Sequence, residues 1–243
     1  MSSAAVVVSP HTIESLRLVS TATLSMVLIK RGIRSSWMRG PVPLQPITQR
    51  VAGPAFTIRF VPGRDDLCQP ESYGGSPAFR DAIENAPSGS VVVVDGCANL
   101  NGATLGDILV ARLATRGVVG AVTDSPIRDA DEMRKIDLPV LSCGVAAPPS
   151  IIGLAYAGFG EIIGCGGVAV CPGDIIVCDN DGALVVPAAL AEEVAAAGLE
   201  QERFERFVQE KVTNGASVYG LYPPDEAMLK EYEHWCGANP QHE

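Results

Sequence analysis

The sequence predicts a layered α/β domain built on a mixed sheet, and three observations carry that reading. Up to Leu138, β-branched apolar runs alternate with stretches of helical periodicity: Ser90 to Asp95 and Val118 to Thr123 read as buried strands, with Leu105 to Arg116 helical between them. From Leu138 to Val186 the pattern changes to short strands separated by Gly- and Asp-containing turns. The chain has 243 residues, 47% of them apolar, which is enough to fill one complete core.

Taken in order, Thr12 to Met26 is expected to be one helix, and Ile33 to Pro46 a connection punctuated by Pro, Gly and Arg. Val51 to Phe60 reads as a strand pair or one long strand. Gly63 to Gly75 is polar and turn-rich; an ordinary surface loop is the favoured reading, with its Arg64, Asp65, Asp66 and Glu71 as candidates for a loop over a site. Ser76 to Ala86 is a short helix leading into the Val91 strand. In the next helix Leu105, Ile108, Leu109, Leu113 and Ala114 can share one side, and Gly117 ends it. Asp129 to Lys135 reads as a polar helix. Ala188 to Asn214 is a long amphipathic helix with Val194, Phe204, Phe207, Val208 and Val212 on its apolar side, and Asp225 to Trp235 a final one after Tyr222-Pro223-Pro224. The expected division is an N-terminal helical extension over 1–50, a core over 51–187, and C-terminal helices over 188–243 that pack on the core or on a neighbouring subunit.

Composition narrows the function. A net charge of −10 leaves no basic face to neutralise phosphates, so no nucleic-acid partner is expected. The start lacks a basic region and a long apolar core, and no stretch is long enough to cross a membrane, so neither export nor membrane association is expected. Seven cysteines without framework spacing, several inside apolar strand segments, read as reduced core thiols of a cytoplasmic protein. His11, His234 and His242 all lie near the termini, which argues against a His-based zinc site or a Ser-His relay. An imine-forming lysine would have to be Lys30, Lys135, Lys211 or Lys230; Lys135, near the candidate site, lies in a charged segment that suits a solvated surface.

Chemistry concentrates at Asp107 and at Arg128-Asp129, twenty residues further on. Asp107 falls in the first turn of its helix, where the amides of Ile108 and Leu109 point outward and can receive a carboxylate oxygen. Arg128-Asp129 lies in the connection leaving the Val118 strand. Both would sit beyond the carboxyl ends of strands, where open α/β sheets gather ligands. The structural alternative for each is plain: Asp107 as an acidic residue favoured by the helix dipole, and Asp129 as an N-cap with Glu132 completing a capping box. Two carboxylates and a guanidinium can together hold a hard divalent cation, Mg²⁺ or Mn²⁺ by donor type, and an anionic substrate. Gly164-Cys165-Gly166-Gly167 is a turn rather than a dinucleotide loop, because Val168-Ala169-Val170 is strand-like where a helix would be needed. Asp179-Asn180-Asp181-Gly182 is a hairpin turn, lacking the spacing and terminal Glu of a calcium loop.

Several segments in order, Gly53-Pro54-Ala55-Phe56-Thr57, Val91 to Gly96, Gly106-Asp107-Ile108-Leu109, Gly120 to Asp124, Arg128-Asp129, Leu138-Pro139-Val140, Gly166-Gly167-Val168, Pro172-Gly173-Asp174 and Asp179-x-Asp181-Gly182, resemble the RraA-like family. That family contains the regulator of ribonuclease activity A and 4-hydroxy-4-methyl-2-oxoglutarate aldolases. The resemblance implies a β/β/α swivelling-type fold, assembled as a homotrimer or homohexamer with sites at subunit contacts, where a neighbour's carboxylate completes each site. It implies that Asp129 binds a divalent metal directly and that Asp107 holds it through water. Arg128 would contact the oxo group and carboxylate of a pyruvate-like moiety, with Gly106 and the amides of Ile108 and Leu109 also binding substrate.

The activity so implied is a class II, metal-dependent aldolase: a carbon–carbon lyase cleaving a 4-hydroxy-2-oxo acid to pyruvate through a metal-stabilised enolate, with oxaloacetate decarboxylase side activity. Two further readings stand beside it, a non-enzymatic regulator that binds a ribonuclease, and another lyase on the same platform. One departure from the family pattern is Asp124-Ser125-Pro126-Ile127 before Arg128, where many members have Asp-Gly; Ser125 could offer the substrate a hydroxyl.

Overall fold

The computed structural model describes residues 6–68 and 78–238. Its sheet runs β1 (Val42–Pro43), β5 (Val140–Ser142), β4 (Gly120–Thr123), β3 (Val91–Asp95), β2 (Val51–Pro62), β9 (Ile175–Asp179), β10 (Gly182–Val186), with β6 (Leu154–Phe159) also pairing with β2. Strands β2, β3, β4 and β5 are parallel; β1, β6, β9 and β10 pair antiparallel. This is the mixed sheet expected from the change of pattern at Leu138. Val51 onward forms one twelve-residue strand, long enough to pair with β9 through its first half and with β3 and β6 through its second.

Alternation along the central strands divides the core into layers. Val92 and Val94 face α3 (Ala78–Asn85), α4 (Asp107–Thr115) and α5 (Ala130–Met133), where Ile83, Val110, Leu113 and Met133 are buried. Val91 and Val93 face the other way, onto the hairpin β7 (Ile163–Cys165) and β8 (Val168–Val170), through Ile163, Cys165, Val168 and Val170. A helical layer, a sheet and a β-ribbon layer result, the β/β/α arrangement. The β7–β8 turn places Gly166 at φ +55° and Gly167 at +76°, so the glycine pair is a hairpin turn.

A third apolar cluster joins α1 (Pro10–Leu18), α2 (Thr21–Lys30) and α6 (Ala191–Thr213) to the outer face of β9 and β10. The single helix expected over Thr12 to Met26 is two helices, bent by 109°. Ser20 causes the break: its hydroxyl accepts from the Thr23 amide and starts α2 afresh. Asp179 then holds the new N-terminus, accepting from the Thr21 amide at 2.8 Å and the Thr21 hydroxyl at 2.7 Å. The Asp179-Asn180-Asp181-Gly182 segment is therefore a hairpin turn that also clamps a helix. Beyond the core, the second half of α6 folds against α7 (Glu226–Ala238) around Phe207, Val208, Leu221 and Tyr232. No single helix among the described residues is long and apolar enough to cross a membrane.

The expected apolar side of the Leu105 helix needs correction. Leu105 is buried but precedes α4, and inside the helix the buried residues are Val110 and Leu113; Ile108 is 77% exposed. The helix starts two residues late, at Asp107, which turns its first turn toward a cavity.

Candidate active site

Two connections leaving parallel strands build the site, one after β3 and one after β4. They are zipped together by backbone hydrogen bonds: the Thr104 amide donates to the Pro126 carbonyl at 3.0 Å and the Arg128 amide to the Leu105 carbonyl at 3.0 Å. Ile127 continues the lattice, donating to Gly144 and accepting from Ala146. Residues twenty apart in sequence thus meet, as Leu105 and Ile127 form a parallel bridge and the next residues, Gly106-Asp107 and Arg128-Asp129, emerge side by side. A Cβ on Gly106 would lie 3.1 Å from Asp129 Oδ2 and 3.4 Å from Arg128 Cγ, so the missing side chain is what lets the two segments approach.

Asp129 does not cap α5. It sits in the left-handed region, φ +57° and ψ +40°, with no side-chain capping bond, and its Oδ2 instead accepts from Arg128 Nε at 3.1 Å. The capping-box alternative is therefore overturned, and Glu132 pairs with Lys135 on the surface. A non-glycine residue held there stores strain of about 1 kcal/mol or more, and such positions cluster where a side chain must be aimed. Arg128 and Asp129 side chains remain 36% and 39% exposed, within reach of a small ligand. Asp107 Oδ1 accepts from the amide of Ile108 at 2.8 Å, so that amide is held by its own neighbour. Leu109, also in the first turn, lies where no carbonyl of the same helix can serve its amide.

Gly106, Asp107, Ile108, Leu109, Arg128 and Asp129 all line one cavity of about 670 Å³. All six residues that the sequence reading assigned to metal or substrate are there. What sequence reasoning missed is another part of the lining, where Phe60 of β2, Phe79 of α3 and Tyr156 of β6 touch one another with ring centroids 5.2 to 5.8 Å apart. These residues come from three elements and share no spacing that could have announced them. Leu67 and Cys68, from the segment after Gly63, also line the cavity, whereas Arg64 pairs with Asp66. Residues 69–75 of that expected loop, Glu71 among them, lie outside the described residues.

The groups around the site support it rather than compete with it. Burial pushes the Asp124 carboxyl above its usual range, and it accepts from the amides of Gly96 at 2.8 Å and Ala98 at 3.3 Å, pinning the end of β4 to the turn after β3. Ser125 is fully buried and donates to the Gly96 carbonyl, so it offers the cavity no hydroxyl. The Cys97 thiol is pushed up by burial and by Asp95, against a role as a ready nucleophile. Among the described residues no three His, Cys, Asp or Glu side chains cluster as a metal site.

Known proteins share this fold. The family model described as RraA-like, Aldolase/RraA, matches residues 21–185. The protein DlpA of Legionella pneumophila is 25% identical over 242 residues; the match takes in 96% of this chain, which spans only 36% of DlpA. A protein of Halalkalibacterium halodurans named "Putative 4-hydroxy-4-methyl-2-oxoglutarate aldolase" is 32% identical over 156 residues, 62% of this chain and 67% of that protein. Among solved structures, RraAS2 of Streptomyces coelicolor, described as an unusual member of the RNase ES inhibitor RraA protein family, superposes with a TM-score of 0.75 at 33% identity, covering 83% of this chain and 96% of that one. An uncharacterized protein from Pseudomonas syringae pv. tomato does so with a TM-score of 0.76 at 25% identity, covering 89% and 98%. The matched stretch holds the sheet, the zipped connections and all of Asp107, Arg128 and Asp129, and on that ground the chain belongs to the RraA-like family.

Proposed function

We propose that this protein is a metal-dependent aldolase that cleaves a 4-hydroxy-2-oxo acid to pyruvate and a carbonyl product. The observation that carries the reading is the convergence of Asp107, Arg128 and Asp129 on one wall of the cavity, at the carboxyl ends of β3 and β4. The aldolase name borne by a relative 32% identical over 156 residues supports it.

The donor set fits a hard cation. Two carboxylates from different connections face one space; Asp107 has one oxygen engaged by the Ile108 amide and Asp129 one by Arg128, which leaves an oxygen of each for a ligand. Asp129 would hold Mg²⁺ or Mn²⁺ directly and Asp107 through water, with substrate oxygens, water and a carboxylate of a neighbouring subunit filling the remaining positions. When bound, the ion supplies Lewis-acid neutralisation of charge on the 2-oxo and carboxylate oxygens.

The chain's own residues do the rest. The Arg128 guanidinium binds the oxo group and carboxylate of the pyruvate half and stabilises the negative charge that grows there during cleavage. Gly106 leaves room for that half, and the amides of Ile108 and Leu109 receive its carboxylate, Ile108 exchanging its present partner for the substrate. Asp107 takes the C4 hydroxyl proton through an intervening water. The C3–C4 bond then breaks: C4 becomes the carbonyl of the leaving product, the electron pair passes to C3 as pyruvate enolate, and a proton returned to C3 gives pyruvate. With a carboxylate in place of the hydroxyl-bearing carbon, the same enolate forms by loss of carbon dioxide, so oxaloacetate is an expected secondary substrate. The exposed Ile108, Val145 and Ile152 around these connections suit a subunit contact, consistent with a homotrimer or homohexamer.

Pyruvate release from 4-hydroxy-2-oxo acids and oxaloacetate, with Mg²⁺ or Mn²⁺ and then with chelator, tests the reading. Asp129→Ala is expected to abolish release, and Arg128→Ala to lower kcat/KM by roughly a hundredfold or more. Unchanged turnover in both variants would remove the site. The description of RraAS2 favours one alternative, a regulator that binds a ribonuclease without catalysis; absence of pyruvate from every oxo acid, together with tight ribonuclease binding, would establish it instead.

A further inference from the structure

The cavity, about 670 Å³, offers far more room than a pyruvate moiety fills, and its lining away from Asp107, Arg128 and Asp129 is mostly apolar. Its wall is a consequence of sheet register. A bulge between Arg59 and Phe60 shifts the pairing of β2 with β6, so that Phe60 comes opposite Tyr156. Phe79, in the first turn of α3, closes the trio, its ring 5.2 Å from Phe60 and 5.6 Å from Tyr156. Leu154, 2% exposed, extends the surface along β6. Apart from Asp107, Arg128 and Asp129, the described lining residues carry one charge, Arg80, on the exposed side of α3.

Resting on the aldolase reading, we propose that the leaving half of the substrate is apolar: the C4 substituent is an aryl or bulky alkyl group seated against Phe60, Phe79, Tyr156 and Leu154, and the product released beside pyruvate is an apolar aldehyde or ketone. A second carboxylate on C4 would lose its hydration against Phe60, Phe79, Tyr156 and Leu154, none of which carries a charge to offset that loss. An aromatic ring finds edge and face contacts already arranged. Phe79 and Tyr156 are the specificity-determining residues, because their rings are only partly buried and reach the cavity from elements outside the catalytic connections.

The test compares kcat/KM for 4-hydroxy-2-oxo-4-phenylbutanoate with that for 4-hydroxy-4-methyl-2-oxoglutarate, and measures calorimetrically the binding of the uncleavable 2-oxo-4-phenylbutanoate against 2-oxoglutarate in Mg²⁺. The aryl compound is expected to be preferred at least tenfold in both. Phe79→Ala should lower the aryl-to-dicarboxylate ratio about tenfold or more, and Ala157→Lys, at an exposed cavity position, should shift it the same way by adding a cation. Preference for the dicarboxylate by the unmodified protein overturns the proposal while leaving the aldolase reading intact. Equal preference, or a ratio unmoved by either variant, overturns it too. Absence of cleavage of both substrates, with the phenyl acid still binding more tightly, removes the aldolase reading and retains the apolar subsite.

Discussion

Asp129 occupies a backbone conformation that costs an L-residue free energy, and it receives no capping bond in return. Its contribution is direction: from φ +57° its carboxylate meets Arg128 and stands 3.1 Å from where a Gly106 side chain would begin. Glycine accepts this conformation without strain and alanine does not, so Asp129→Gly is expected to be more stable than Asp129→Ala by roughly 1 kcal/mol, with neither variant active. Urea midpoints of the two variants measure this, and equal stability would mean that residue 129 is not left-handed in solution. The sequence made Asp107, Arg128 and Asp129 visible as residue types but left open whether Asp129 was a helix cap. That choice depended on a dihedral angle, which no residue type determines.

Among the elements, the turn between α1 and α2 shows how one side chain governs the placement of a helix. Asp179, 8% exposed at the end of β9, accepts from the Thr21 amide and hydroxyl and from the Asp181 amide, so one carboxylate holds both the start of α2 and the β9–β10 hairpin. Asp179→Ala would leave a buried amide and a buried hydroxyl without an acceptor, at an expected cost of roughly 2–4 kcal/mol read from the urea midpoint. A change below about 0.5 kcal/mol, the size of an ordinary surface substitution, would mean that the clamp is replaced by water. The hairpin itself was legible from Asx and Gly chemistry. Its grip on a helix 158 residues earlier was not, because turn chemistry is local and the clamp is a long-range contact.

For the whole molecule, the three clusters around the sheet form one body, whereas Phe207, Val208, Leu221 and Tyr232 make a separate core for the C-terminal pair of helices. Each unit holds one of the two tryptophans. Trp37 bridges to Leu184 and donates to the Asp181 carbonyl, while Trp235 packs on Phe207 and donates to Glu210. Fluorescence of a Trp37→Phe variant, reporting Trp235, is therefore expected to change at lower urea than that of a Trp235→Phe variant; coincident transitions would show one cooperative unit. From sequence alone came the alternation of strands and helices, the change to short strands and turns after Leu138, and the candidate residues Asp107, Arg128 and Asp129, because period, turn residues and ionisable side chains are written one position at a time. Only the tertiary structure decided that α4 opens toward a cavity, that Ser125 is buried, and that three aromatic rings line the same cavity as Asp107, Arg128 and Asp129. Those facts depend on strand register and on backbone hydrogen bonds between segments far apart in the chain, which exist only once the sheet has formed.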